Sequence, residues 1–538
     1  RLSGSFVLEP PSRQPEPPTG GRAVMEFRPS DASFPTPRPS MGFDIGDYVW
    51  SPCTRTGFRR STIVSVDAVS DSFFVETRDD NDPAAGKFPV RRSDVRPFFD
   101  SGPDRTFEDN TSMVHLDDAN ILDNLRRRFL RDQVYTYTAN VLLAVNPYKQ
   151  LPHLYTVEKM SEYRSKNIGS MPPHPYAIAD TAYRHLLRER QNQALVISGE
   201  SGAGKTETAK ITMHYLTHVS RTDAAHGGRI QDKIINANPI LESFGNASTV
   251  RNMNSSRFGK YNEMCFNPVG SLVGARVKTY LLESSRVVSQ QPGERNYHVF
   301  YEMLAGLESD MLDRLELDPC AKYRLLYAGD ATPCAEDSPE AQRSAQQFAE
   351  LRRALATFVS PDLEQDIWEA VAALIHLGEV EFVDLGGEEE EGRPARTPSP
   401  MPARSSSQAA LEAAEASQQA RVAVAEHGAD ALAQAADLLG LSQCRLEQVL
   451  RWKEMHVKRQ NRRTSHINCP RTRAQAHQTL QSIIKVLYKR LFDKIVEHIN
   501  ASSAGNTSSA RGAAGPEGAS SECSYNSIGT LDIYGFER

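Results

Sequence analysis

Residues 199–210 read GESGAGKTETAK, and this stretch decides the fold class. Its spacing, in which Gly199 is followed by four residues and then by Gly204, Lys205 and Thr206, is that of a phosphate-binding loop. Glycines let several backbone N–H groups approach an anion, and the helix that follows points its positive dipole end at the same place. In such a loop the lysine contacts the outer phosphates and the threonine hydroxyl binds Mg²⁺.

The residues on both sides of the loop predict the strand and the helix that the motif requires. The short apolar run ALVIS, residues 194–198, predicts a buried parallel strand. After the loop, apolar residues recur at intervals of four, three and three, which is helical spacing; they are Ala209, Met213, Leu216 and Val219. The order of strand, glycine loop and helix predicts an α/β nucleotide-binding core.

The composition of the chain limits the classes of protein to which it can belong. Of the 538 residues, 39% are hydrophobic and 24% are charged, and the net charge is -6. These values are ordinary for a globular protein and provide no basic field, so nucleic acid is not an expected partner. The seven cysteines are odd in number and lack metal-ligand spacing, which favours a reducing, cytoplasmic setting. Since no apolar run approaches about 18 residues, no transmembrane segment is expected.

Changes in composition predict the domain boundaries. Residues 1–42 are rich in Pro, Ser and Arg, and we expect them to be disordered. Residues 43–100 contain short apolar runs between Gly, Asp and Asn turns, which predicts a small β-barrel or β-sandwich. Residues 101–538 then form the nucleotide-binding core, interrupted by low-complexity insertions at 386–422 and 501–524.

Two further segments supply what a phosphate loop lacks. Hydrolysis needs a second Mg²⁺ ligand, a means of holding water in line and groups that detect the γ-phosphate. The segment NMNSSRFGK, residues 252–260, offers two hydroxyls, an arginine and amides. The closing DIYGFE places Asp532 at the end of an apolar strand, followed by a glycine and by Glu537. The three segments together contain the parts of a nucleotide switch.

In this order the segments GESGAGKT, NMNSSRFGK and DIYGFE resemble the phosphate loop, the first switch and the second switch of the myosin motor domain. Longer stretches resemble the same family, at residues 124–149, 238–252, 279–306 and 487–500. The resemblance runs from about residue 43 to the last residue, outside the two insertions. Kinesins are excluded because their first switch reads Ser-Ser-Arg-Ser-His where this chain has SSRFGK.

The resemblance implies both a fold and an activity. The fold would be α/β, with a phosphate-loop NTPase core, mostly β-sheet flanked by helices, that follows a small Src-homology-3-like β-barrel. The activity would be that of an actin-based motor, which hydrolyses ATP with Mg²⁺ on the actin cytoskeleton of the cytoplasm as part of a myosin complex. The family's lever, which binds light chains or calmodulin, follows the second switch. We therefore expect the chain to be incomplete at its C-terminus and inactive by itself.

The resemblance also implies which residues hold the nucleotide and the metal. The phosphates would be held by Gly199, Glu200, Ser201, Gly202, Ala203, Gly204, Lys205, Thr206 and Asn252. Magnesium would be bound by the hydroxyls of Thr206 and Ser256, with Asp532 acting through water. The purine would contact Asn146, Pro147, Tyr148, Lys149 and Tyr155.

Four residues would carry the chemical step. Ser255 would orient the attacking water or relay its proton, and the N–H of Gly535 would contact the γ-phosphate. Arg257 and Glu537 would form a salt bridge between the switches, which closes the pocket for hydrolysis.

Ser465 is a candidate regulatory residue. In the family, an actin-facing loop has an acidic or phosphorylatable residue sixteen positions before a short motif. The stretch QSIIK, residues 481–485, resembles that motif here, and counting back sixteen positions from its first residue gives Ser465. Nearby arginines, at 459, 462 and 463, are what a basophilic kinase would recognise. The alternative is an ordinary exposed loop serine.

Two other classes of function stay open at this point. One is a nucleotide-gated actin tether or scaffold whose hydrolysis is degenerate, and the intact switch residues argue against it. The other is a phosphate-loop NTPase or kinase that is not a motor, and the long flanking matches argue against that one.

Overall fold

The computed structural model describes residues 5–8, 42–77, 86–99, 102, 105–220, 227–327, 338–385, 421–458, 464–503 and 525–533. Contacts between residues divide the chain into two compact units. The first unit comprises Arg1–Gly199 and Ala203–Val219, and the second comprises Glu200–Gly202 and Ser220–Arg538. The boundary between the units therefore runs through the phosphate loop.

The first unit contains strands, helices and short 3-10 turns. Its strands are β1 (Ser5–Leu8), β2 (Tyr48–Cys53), β3 (Gly57–Asp67), β4 (Ser72–Thr77), β5 (Gly86–Arg91), β6 (Arg96–Pro97), β7 (Tyr135–Thr138), β8 (Val141–Ala144) and β9 (Gln193–Ser198). Its helices are α1 (Asp118–Phe129), α2 (Val157–Tyr163), α3 (Pro175–Glu189) and α4 (Lys205–Val219). Its 3-10 turns are Arg92–Asp94, Asn110–Ser112 and Pro152–Leu154.

A small antiparallel sheet occupies the segment predicted to form a β-barrel or β-sandwich. Its strand order is β5-β4-β3-β2-β6. Alternate residues of β4 are buried, as expected for a strand with one face on a core, and Phe73 and Val75 contribute to a local cluster with Val49 and Ile63. The sheet therefore has its own hydrophobic core, and closure into a barrel stays a prediction.

The second sheet of the first unit leads to the phosphate loop. Its strand order in this unit is β9-β1-β8-β7. The predicted strand ALVIS is β9, but its pairing with β1 is antiparallel, with Phe6 opposite Ile197, whereas the sequence predicted a parallel strand. The prediction of disorder throughout residues 1–42 is wrong for Ser5–Leu8, which pairs with both β8 and β9. Average composition cannot reveal such a strand, because its backbone partners come from distant segments.

The helix predicted after the phosphate loop is confirmed as α4. Its four periodic apolar residues are all buried; they are Ala209, Met213, Leu216 and Val219. The hydroxyl of Thr208 donates to the carbonyl of Gly204 at 2.8 Å within the first turn. The loop therefore passes directly into a helix whose apolar face is fixed by the core of the first unit.

The second unit is built mainly from helices. They are α5 (Gly227–Gly245), α6 (His298–Gly306), α7 (Ser309–Arg314), α8 (Pro339–Leu355), α9 (Pro361–Gly378), α10 (Glu426–Leu438), α11 (Gln443–Arg451) and α12 (Arg473–Ser503), with a 3-10 turn at Ser284–Val287. Its strands are β10 (Asn246–Ala247), β11 (Ser255–Ser256), β12 (Gly259–Phe266), β13 (Leu272–Tyr280), β14 (Phe382–Asp384), β15 (Val422–Val424), β16 (Trp452–Lys458), β17 (Thr464–Pro470) and β18 (Asn526–Asp532).

The predicted terminal strand is β18, and it joins an antiparallel sheet of order β13-β12-β18 in this unit. Its last residue, Asp532, lies opposite Lys260 of β12. The register therefore fixes the backbone position of Asp532.

Both predicted insertions are shorter than their composition suggested. Val422, the last residue of the first predicted insertion, lies in β15 and pairs with β14. Helix α12 continues to Ser503, three residues into the second predicted insertion, because Ala and Ser at its end are compatible with a helix. The rest of the two insertions, residues 386–420 and 504–524, lies outside the described residues.

Helix α12 forms the centre of the core of the second unit. Buried side chains recur along it with helical spacing, at Ala476, Leu480, Ile484, Tyr488 and Phe492. The Tyr488 hydroxyl donates to the carbonyl of Phe244 at 2.7 Å, and its ring stacks on Tyr297 with centroids 4.9 Å apart. In the described part of the chain, no helix has the length and apolar character to cross a membrane.

Replacing Leu374 by alanine tests this core. Leu374 in α9 is 1% exposed, so the variant Leu374→Ala leaves a cavity and should lower the free energy of unfolding by about 2–5 kcal/mol. Leu441 is 51% exposed, and Leu441→Ala should change that free energy by less than about 1 kcal/mol. Chemical denaturation of both variants measures the difference. Equal losses of stability would contradict the assignment of Leu374 to the core.

Candidate functional site

The phosphate loop joins the end of β9 to the start of α4. Gly202 and Gly204 adopt left-handed backbone conformations, with φ of 77° and 91°, which side chains on L residues disfavour. Lys205 is 8% exposed, and its Nζ donates to the carbonyl of Gly199 at 2.9 Å. The lysine side chain therefore folds back over its own loop, and a charged nitrogen lies at the start of a helix, where anions bind well.

The middle of the phosphate loop lies against the first-switch segment. The Oγ atoms of Ser201 and Ser255 are 3.1 Å apart, within hydrogen-bond distance. A Cβ built on Gly202 would lie 3.8 Å from the Cβ of Asn252, so the backbone of the loop passes close to this side chain. Both contacts lie within the second unit. The structure thus brings together two segments that sequence analysis assigned to one site.

The first-switch segment is held by its own turn and by a short strand pair. The N–H of Thr249 donates to the carbonyl of Asn252 at 2.9 Å. The side-chain Oδ1 of Asn252 accepts from the N–H of Asn254 at 3.1 Å. Strand β11, which is Ser255 and Ser256, then pairs with β10. Ser255 is buried, and its hydroxyl is thereby fixed on the side of the phosphate loop.

Arg257 lies between Ser255 and a glutamate that sequence analysis did not identify. Its Nη1 donates to the Oγ of Ser255 at 3.2 Å, and its Nε donates to Oε2 of Glu283 at 2.6 Å. Nothing in the sequence connects positions 257 and 283, because they approach only through the fold. The predicted partner Glu537, like Gly535, lies outside the described residues.

The predicted metal ligands are suitable in chemistry. Mg²⁺ prefers oxygen ligands, and the hydroxyls of Thr206 and Ser256 with the carboxylate of Asp532 supply only oxygens. Asp532 is buried at the end of β18, where an ionised carboxylate requires compensating partners. Across the described ranges, no group of three or more His, Cys, Asp or Glu side chains could hold a metal ion.

The predicted purine-contacting residues follow β8. Oδ1 of Asn146 accepts from the N–H of Tyr148 at 2.9 Å, and Tyr148 is 77% exposed with φ of 51°. Lys149 forms a salt bridge with Asp132, with an Nζ to Oδ1 distance of 2.6 Å. Pro147, between Asn146 and Tyr148, is half-buried. Asn146 thus stabilises the turn with its side chain, and the turn presents an aromatic ring to solvent.

Tyr155 belongs to an aromatic cluster around His174. Its hydroxyl is 2.9 Å from that of Tyr135, and its ring centroid is 5.8 Å from that of His174. The rings of Tyr163 and Tyr176 also contact His174, at 5.1 and 4.2 Å between centroids. The His174 Nδ1 accepts from the N–H of Tyr176 at 3.1 Å and so caps α3. Burial lowers the pKa of His174 to about 3, so the ring is neutral in the folded chain.

Ser465 lies in a strand, which corrects the prediction of a loop. It is part of β17 and pairs with Val457 of β16 in an antiparallel hairpin. The three nearby arginines lie outside the described residues. The backbone of Ser465 is therefore near the end of a hairpin rather than within a loop.

Comparison with known proteins gives one family. A family model described as myosin head (motor domain) matches residues 107–409 and 407–538. The two matched segments contain the phosphate loop and both switch segments, so the family model and the site geometry concern the same residues.

Several curated proteins are similar to the chain over most of its length. Unconventional myosin-VI of Bos taurus is 33% identical over 516 residues, which is 91% of this chain and 35% of that protein. Myosin ID heavy chain of Dictyostelium discoideum is 37% identical over 435 residues, 80% of this chain and 34% of that protein. Myosin-VIIa of Drosophila melanogaster is 42% identical over 342 residues, 63% of this chain and 15% of that protein. The chain thus spans about a third or less of the length of these relatives.

The neutral state of His174 predicts a pH dependence of stability. Its pKa when folded, about 3, lies below its ordinary value of 6.5. The unfolded chain therefore binds an extra proton between these values, and stability is lost as pH falls from 6.5 towards 3. For His174→Asn, which keeps a capping acceptor, the loss between pH 7 and pH 5 should be smaller by roughly 2 kcal/mol.

Chemical denaturation at the two pH values measures this difference. The same substitution at the exposed His153 is the control, and it should leave the pH dependence unchanged. An identical pH dependence in His174→Asn and in the unmodified protein would contradict the prediction.

Proposed function

The chain belongs to the myosin head (motor domain) family, and on that premise we propose that it binds ATP with Mg²⁺, hydrolyses it and works as an actin-based motor. The contact between Ser201 of the phosphate loop and Ser255 of the first switch is the observation that carries the proposal. A loop that only held phosphates would need no neighbouring hydroxyl and arginine. Hydrolysis needs both, because water and the transferred phosphoryl group must be positioned together.

The roles of the described residues follow from their positions. Lys205 holds the outer phosphates from the start of α4, and the N–H groups around Gly202 and Gly204 surround them. Ser255 orients the attacking water, and Arg257 stabilises the charge that develops on the phosphoryl oxygens. An arginine in this role contributes roughly 10³ to 10⁵ to the rate in nucleotide hydrolases.

The other assigned residues complete the proposed site. Mg²⁺, held by the hydroxyls of Thr206 and Ser256 with Asp532 acting through water, would neutralise charge on the phosphates. The turn at Asn146–Lys149 and the ring of Tyr155 contact the purine. Gly535 and Glu537 meet the γ-phosphate and Arg257. Loss of those contacts after hydrolysis would let the switch segments move, and this movement is what a motor transmits to filamentous actin. The proposed location is the cytoplasmic actin cytoskeleton, within a myosin complex.

Replacing Lys205 by alanine tests the nucleotide site. Removing the buried ammonium group from the loop should abolish binding of ATP with Mg²⁺, measured by calorimetry on the complete gene product. Lys210 lies on the same helix and forms a salt bridge with Glu207, so Lys210→Ala is the matched control and should keep the affinity within about threefold. Unchanged affinity in Lys205→Ala would overturn the assignment of the phosphate loop.

The same pair of variants tests the motor. The unmodified protein and Lys210→Ala should cosediment with filamentous actin and be released by ATP, whereas Lys205→Ala should remain bound when ATP is added. A single-turnover phosphate-release assay separates the motor from a nucleotide-gated tether, because a tether would bind ATP without producing phosphate.

Substitutions at Ser465 test the proposed regulation. A phosphate there would add about two negative charges at the hairpin. Ser465→Glu and Ser465→Ala should therefore differ in actin-activated ATPase rate and agree in the rate without actin. Ser482→Glu, on the exposed surface of α12, is the control for an added charge. Equal actin-activated rates in the two Ser465 variants would contradict regulation at this position.

A further inference from the structure

We propose that Glu283 is a positioning residue for Arg257, which fixes the direction of its guanidinium group for the hydrolysis step. The inference rests on the proposed function and adds a residue to it. Arg257 has five N–H donors in a rigid planar arrangement, so a carboxylate that holds Nε determines where the terminal nitrogens point. Glu283 supplies that carboxylate at 2.6 Å.

The backbone holds Glu283 in place from two sides. Its N–H donates to the carbonyl of Arg257 at 3.0 Å. Its carbonyl accepts from the hydroxyl of Tyr297 at 2.9 Å. Tyr297 is fully buried and stacks on Tyr488 of α12. The segment that carries Glu283 is therefore attached both to the first switch and to the core of the second unit.

Further charged groups hold the Glu283 side chain. Its Oε2 also accepts from Nε of Arg286 at 2.9 Å, and Nη2 of Arg286 donates to Oε2 of Glu294 at 2.8 Å. The side chains of Arg286 and Glu294 are almost completely buried. Two arginines and two glutamates thus alternate in one chain of contacts, with no net charge among them.

Because arginines and glutamates alternate in these contacts, Glu283 can orient the Arg257 side chain without fixing it in a single position. The Glu283 side chain is 33% exposed, and a partly buried carboxylate that lost its only cation would still carry a desolvation penalty. Arg286 remains beside Glu283 whatever Arg257 does, so a small movement of Arg257 leaves no carboxylate without a cation. The arrangement favours one direction of the guanidinium group and still permits adjustment as the site closes.

The chain of contacts extends to the phosphate loop. The Arg257 guanidinium group donates to Glu283 through Nε and to Ser255 through Nη1. The Ser255 hydroxyl in turn contacts that of Ser201. A displacement of the guanidinium group would therefore weaken its hydrogen bond to the hydroxyl proposed to orient water. A misplacement of about 1 Å in such a site can reduce the rate by about 100-fold.

The test is the variant Glu283→Gln in the complete gene product. Glutamine keeps the shape and one acceptor oxygen but removes the charge, which weakens the hydrogen bond to Arg257. We expect the single-turnover rate of ATP hydrolysis to fall by about 10- to 100-fold, with the affinity for ATP within about threefold of the unmodified protein. An unchanged hydrolysis rate would overturn the inference.

Two companion variants exclude a merely structural effect. Glu294→Gln makes the same substitution in the same group of contacts but does not touch Arg257, and it should hydrolyse ATP at close to the normal rate. The double variant Glu283→Gln with Arg257→Gln should be no slower than Arg257→Gln alone, because Glu283 acts through Arg257. Slow hydrolysis in Glu294→Gln, or a further loss in the double variant, would overturn the role assigned to Glu283.

Failure of this inference is distinguishable from failure of the proposed function. If the unmodified protein neither binds nor hydrolyses ATP, the proposed function is wrong. If it does both and Glu283→Gln matches it, only the role of Glu283 is wrong.

Discussion

The contact between the hydroxyls of Ser201 and Ser255, 3.1 Å apart, is the interaction on which the candidate site depends. A phosphate loop by itself provides bare backbone and one lysine, which bind an anion but do not place a nucleophile. Ser255 adds a hydroxyl beside that loop, and it lies in a strand pair that leaves its backbone little freedom. Through Arg257, the same hydroxyl is connected to a group of charged side chains that are wholly or partly buried. The proposed binding and hydrolysis steps would thus meet where the phosphate loop contacts the first switch.

The parts of the fold that sequence analysis predicted are those determined by neighbouring residues. The apolar run before the loop and the helical spacing after it are local patterns, and the structure confirms both β9 and α4. The parts that it missed depend on pairing over long distances. Strand β1 is four residues long and acquires its backbone partners from segments more than a hundred residues away, so a low-complexity composition concealed it. The hairpin that contains Ser465 was missed because strand pairing does not appear in a count of positions from a motif.

The candidate site shows the same division. Spacing and resemblance identified Ser201, Ser255 and Arg257, since each lies in a recognisable segment. Glu283 had no such segment of its own, and its importance follows only from a distance of 2.6 Å to Arg257. His174 was also missed, because a histidine that caps a helix and packs among tyrosines has no distinctive pattern in sequence. Both residues act through a neighbour, Glu283 through the side chain of Arg257 and His174 through the backbone of Tyr176, and sequence rarely records such a role.

Burial and charge have different consequences around His174 and around Arg257. His174 is held neutral because burial disfavours its charged form and the positive charge of Lys159 lowers its pKa further, so Tyr155 packs against an uncharged ring. Around Arg257 charge is retained instead, because two arginines and two glutamates, of which Glu283 is 33% exposed, contact one another in alternation. The first arrangement keeps charge out of an aromatic cluster, whereas the second keeps charge within the protein by placing each cation beside an anion.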